Sequence, residues 1–108
     1  PDAEDRKEIV EKIVKVHLEW DAQMLVDYPN IRKRGRAMTT AQDSVEDGSS
    51  MESYLRAELL TYSPETLKLL WQETEDACKK GENLLKQIIT NETLFYGYSS
   101  LEECEKKC

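Results

Sequence analysis

Four basic residues, Arg32, Lys33, Arg34 and Arg36, crowd around Gly35 in the run Ile31 to Ala37 of a chain whose formal net charge is -7. A guanidinium is a planar fork that grips a carboxylate or phosphate through two parallel hydrogen bonds. Thr39 or Thr40 can cap a short helix just downstream, and the free N–H groups at a helix start attract anions. Arg34 and Arg36, with the hydroxyls of Thr39 and Thr40 and the amide of Gln42, therefore form a candidate site for a small anion or an acidic protein segment. The competing reading pairs these arginines with the chain's own carboxylates or leaves them in water, where an ion pair is worth about 0–1 kcal/mol. Arg32 and Lys33 read as plain surface charge, and Arg36 as the member with a specific partner.

Glu19 stands beside Trp20 in the first helical segment. It can reach Arg36 or Arg56 across a helical bundle, either to organise a loop or as an acid facing a ligand. A polar cavity is a further expectation, lined by Arg56, Glu58, Tyr62 and Asn83 with Arg36 and Gln42. The single histidine, His17, lies four residues before Asp21, so the two share a helix face and the acid can tune the imidazole. No nucleophile accompanies it, so a triad cannot be assembled. Cys78, Cys104 and Cys108 are odd in number, which argues against a closed disulfide framework and for free thiols. Cys104 and Cys108 lack further metal ligands nearby. No metal and no cofactor are expected.

Composition bounds the rest. The 108 residues fit one domain and can bury a core without a metal or disulfides. A hydrophobic fraction of 39% beside 34% charged is too apolar for disorder and too polar for a membrane protein. No secretory pattern opens the chain, and Pro1 in place of an initiator methionine suggests a processing or cloning boundary. A cytoplasmic location is expected. The acid excess argues against binding a long nucleic acid, which needs several phosphates neutralised.

The elements that must position these residues are helical. Ile9, Ile13, Val16, Trp20 and Met24 recur at helical steps, widened by Val10, Val14, His17, Leu18 and Leu25, and Pro29 ends the segment. Asn30 to Met38 reads as loop, with a short helix from Thr39 or Thr40 to near Asp47-Gly48. Ser49 and Glu52 stand in capping-box register ahead of Met51, Tyr54, Leu55, Leu59 and Tyr62. Ser63-Pro64 opens a second long helix whose stripe includes Leu67, Leu70, Trp71, Thr74, Ala77 and Cys78. Because Leu84, Leu85, Ile88 and Ile89 return in phase, that helix is expected to run through Gly81. Asn91 to Ser100 is less regular, and Ser100 with Glu103 opens a terminal helix. The expected class is all-α: a small irregular bundle with two long helices and two or three short ones, residues 1–108 forming one domain.

Glu19-Trp20, Gly35-Arg36-Ala37, Gln42 and Gly81-Glu82-Asn83-Leu84-Leu85 together resemble the motifs of a microbial family known only as a domain of unknown function, number 4125. The resemblance spans about Ile9 to Ile89. Arg34 stands where the family has a second glycine, Ala41 where it has a cysteine, and Gln23 where a phenylalanine follows the Glu-Trp pair. The family's cysteine chemistry is therefore not expected here. The resemblance implies a helical fold and no established reaction. Three functional readings follow: a binding domain for an acidic small molecule or acidic segment, an enzyme with a polar cavity between helices, and a structural protein-interaction module. Partners within these readings are a small anionic ligand, another protein or a second copy of the chain, with no nucleic acid and no membrane.

Overall fold

A computed structural model describes residues 2–33 and 51–107. The described residues form six α-helices: α1 (Asp2–Asp27), α2 (Pro29–Lys33), α3 (Met51–Leu59), α4 (Pro64–Lys79), α5 (Leu84–Phe95) and α6 (Leu101–Lys107). The protein is all-α, and no strand occurs among the described residues.

α1 is the spine. α2, α3, α4 and α5 all pack on it, and α6 closes against α2 and α5. Its apolar stripe feeds two clusters. Val10, Ile13 and Val14 meet Leu59 of α3 and Leu67 of α4. One half-helix further on, Met24 and Tyr28 meet Leu101 of α6, with Ile31, Leu85 and Ile89 packed around them. Trp20 is core, as its spacing predicts, whereas Leu25 is 42% exposed.

The helix limits have local causes. Pro29 ends α1, then starts α2 as its first residue, where the missing N–H costs nothing. The start of the expected loop at Asn30 is thus helical. The Ser63 hydroxyl accepts from Thr66 N at 3.2 Å and Pro64 follows, as the sequence predicts. Ser100 accepts from Glu103 N at 3.0 Å to begin α6. The Ser49 cap and the short helix expected after Thr39 or Thr40 lie outside the described residues.

Gly81 changes the architecture. The helix does not run through it. Gly81 adopts φ +71°, the left-handed conformation that glycine takes without a Cβ penalty. Glu82 N donates to Ala77 O and Gly81 N to Cys78 O, the paired bonds of a Schellman stop. Asn83 then caps α5, accepting from Lys86 N at 2.9 Å. Gly97, at φ +97°, ends α5 in the same way, so that helix continues well into the stretch expected to be irregular. The break at Gly81 turns the second half of the predicted long helix away from α4 and lays it along α1.

Candidate functional site

Of the sequence-predicted anion site, Arg34, Arg36, Thr39, Thr40 and Gln42 lie outside the described residues. The two remaining members, Glu19 and Arg56, share a shallow depression with Glu11 and Glu52. Arg56 does not take Glu19 as its carboxylate. Its Nε and Nη2 donate to Glu11 at 2.7 and 2.9 Å, and Nη2 also donates to Glu52 at 2.9 Å. The hydrogen bond from Arg56 lowers the Glu11 pKa, and those two acids hold the guanidinium protonated. Glu19 stays exposed on the same surface.

The described members of the expected polar cavity do not line one opening, and Arg36 and Gln42 lie outside the described residues. Asn83 is spent on its cap, and its Nδ2 donates to Trp20 O at 3.2 Å, tying the start of α5 to mid-α1. Glu58 faces another opening and accepts from Tyr62 Oη at 2.9 Å. Polar character within apolar stripes grouped these residues, but Arg56 and Glu58 face different openings and Asn83 stands at the start of α5.

The correction with most consequence concerns Arg32. It is not surface charge: its side chain is only 11% exposed and that of Asp21 is 2% exposed. Arg32 donates through Nε to Asp21 Oδ1 and through Nη2 to Oδ2 at 2.8 Å. Asp21, expected to tune His17, instead locks α2 against α1. From the other side, Glu105 of α6 accepts from Asn30 N at 2.8 Å and from Ile31 N at 3.0 Å. An acid from a distant helix thus satisfies the free N–H groups at the start of α2. Tyr28 Oη donates to Glu102 at 2.7 Å. That bond, with burial and the neighbouring acids, pushes the tyrosine pKa up to about 12.

Among the described residues lies a groove of about 990 Å³. α1 supplies its floor through His17, Asp21 and Met24. Leu55 and Glu58 of α3 line one side. Leu85, Ile88, Ile89 and Glu92 of α5 line the other, and Ile31, Arg32, Tyr96 and Cys104 add to the lining. Its size is that of a site for a drug-sized molecule or a helix face. The surface is mostly apolar, with one buried ion pair in it. Next to it, Phe95 and Tyr96 meet edge to face at 5.6 Å while 85% and 77% exposed. Sequence reasoning placed Ile88 and Ile89 on one stripe but did not show the groove.

His17 lies in that floor with its ring edge-on to Trp20, centroids 4.9 Å apart. Burial lowers its pKa below the ordinary 6.5, so the folded protein favours the neutral imidazole. Protonation then favours the unfolded chain. The stability this contributes is fully present above the unfolded value and is lost as pH falls through the folded one. Between pH 7 and about pH 5 the wild type should lose more stability than His17→Gln in urea titrations, a range set by the ordinary histidine pKa. The lowered carboxylates, Glu11, Glu102 and Glu103, titrate further down and in both proteins. Parallel curves would mean that the imidazole titrates alike folded and unfolded.

Among the described residues, no three His, Cys, Asp or Glu side chains group as a metal site, and no helix is long and apolar enough to cross a membrane. Cys78 is exposed, off the stripe predicted for it, and Cys104 is buried.

The family described as "Protein of unknown function (DUF4125)" matches residues 1–106. The chain belongs to that family. Membership agrees with the motif resemblance and extends it to nearly the whole length, so α6, with its Glu102 and Glu105 contacts, falls within the family's span. No curated protein and no solved structure matches the chain.

Proposed function

We propose that the chain is a helical protein-interaction module whose working surface is the groove between α3 and α5. One observation carries this reading: among the described residues, a large and mostly apolar groove reaches Tyr96, which forms an exposed aromatic pair with Phe95. An exposed apolar patch beside a cleft is a mark of an interaction site. Exposed aromatics beside a cleft are the side chains that anchor partners.

This reading differs from the acidic ligand expected of the basic cluster. The two described arginines of that expectation's neighbourhood are occupied: Arg32 by Asp21, and Arg56 by Glu11 and Glu52. An anion site would rest on Arg34, Arg36, Thr39, Thr40 and Gln42, which lie outside the described residues. Catalysis has less support still, because His17 lies in the floor of a largely apolar groove and Asp21 is engaged by Arg32.

The test is binding of the neutral apolar dye Nile red to the folded protein. Wild type should bind it saturably, with a fluorescence gain. Ile88→Glu places a charge on the groove wall at a residue already 51% exposed, so the fold should survive. It should weaken binding about ten-fold, the 1.4 kcal/mol that follows from losing part of an apolar contact. Leu69→Glu, on the outer face of α4 at 68% exposure, should change nothing. Equal effects at positions 88 and 69, or no saturable binding at all, would overturn the proposal.

A further inference from the structure

We infer that the groove takes an amphipathic helix of a partner protein, one whose apolar stripe is flanked by lysine or arginine. The inference rests on the interaction-module reading and names the partner's chemistry.

Shape argues for a helix. α3 and α5 both pack along α1, yet they are not among the closely packed pairs of the fold. The groove therefore runs between two helices and over a third, which is the slot a further bundle helix fills. A helix with its side chains is about 10–12 Å across. The α5 side presents Leu85, Ile88, Ile89 and Glu92 at helical spacing. An incoming helix can interleave its own i, i+3, i+4, i+7 residues with that row.

Charge argues for a basic partner. Among the described lining residues, Arg32 is neutralised by Asp21, and His17 favours its neutral form. That leaves two carboxylates, Glu58 on the α3 side and Glu92 on the α5 side. Both residues are exposed. Acids on both banks of an apolar trough match cations on both flanks of an apolar stripe. Lysine stems can also lie over Leu55 and Ile88 while their ammonium groups reach the acids. The net charge of -7 steers a basic partner in the same sense.

The test uses the full chain and two fluorescein-labelled synthetic helices of about 18 residues, roughly five turns. They share one leucine stripe; the polar face carries lysine in one and glutamate in the other. The lysine helix should bind about ten-fold or more tightly than the glutamate helix at ~0.1 M salt, and the gap should narrow as salt rises. E58Q/E92Q should weaken the lysine helix about five-fold or more, while E65Q/E75Q, the same charge change on α4, should leave it within about two-fold. Equal losses in the two double variants would reduce the effect to bulk charge and overturn the inference. Equal binding of both helices, lost in Ile88→Glu, would overturn the basic partner and leave the interaction module standing. Binding of neither helix, with no saturable Nile red uptake, would remove both. A concentration-dependent dimer in sedimentation that Ile88→Glu dissolves would identify the occupant as a second copy of the chain, which also overturns it.

Discussion

Replacing Arg32 by methionine should destabilise the fold by about 3–5 kcal/mol at neutral pH, the usual cost of leaving one partner of a buried ion pair without the other. The carboxylate of Asp21 is almost fully buried and both its oxygens accept from the Arg32 guanidinium. Without that cation it must stay charged in a poor solvent or take up a proton, and both outcomes cost stability. Restoring an apolar pair should be far milder. The double variant Asp21→Leu/Arg32→Met should recover most of the loss, because packed hydrocarbon replaces a pair whose desolvation offsets much of its attraction. Urea midpoints at constant m-value measure both changes. If the double variant is as damaged as the single one, the guanidinium matters through shape rather than charge. The stakes are local as well as global. α2 has five residues, far too few to hold a helix alone. It persists because Arg32 ties it to α1 while Glu105 holds its first N–H groups. Losing the pair should also disturb the part of the groove that Ile31 and Arg32 line.

What the sequence made legible was local in origin. The spacing of Ile13, Trp20 and Met24 placed α1 and its buried face, and Ser63-Pro64 placed the start of α4. Ser100 with Glu103 placed the start of α6. Each signal acts within a few residues, where spacing and capping chemistry decide the outcome. Arg32 escaped because Asp21 lies eleven residues back, across the Pro29 turn. No periodicity links two residues through a change of axis. Basic neighbours made Arg32 look like surface charge, yet what decided its role was the buried acid. Gly81 misled for a related reason. Apolar residues resume in phase after it, which suits a continuous helix as well as a broken one. The better guide was Gly81 followed two residues later by Asn83, a stop and then a cap. The groove was the least legible feature, since it exists only because α3 and α5 each pack on α1 without closing on one another.

Two leucines two positions apart in α4 should respond very differently to truncation. Leu67→Ala should cost about 2–5 kcal/mol, the lost transfer energy of the side chain plus the cavity it leaves. Leu69→Ala should stay within about 0.5 kcal/mol, as exposed positions do. Leu67 is fully buried among Val10, Ile13, Val14 and Leu59, whereas Leu69 is 68% exposed. Alanine is the better helix former, so propensity cannot explain a loss at either site. The size of the Leu67 effect depends on how far its neighbours can collapse. Tyr62, Leu70 and Trp71 are only partly buried and can shift inward, which favours the lower part of the range, while the fully buried Val10 and Ile13 on α1 cannot. Because Leu67 ties α4 to both the spine and α3, its truncation should lower the unfolding midpoint without adding a second transition. A loss at Leu69 close to that at Leu67 would mean that the outer face of α4 is covered in solution, and that it is a second candidate contact surface beside the proposed groove.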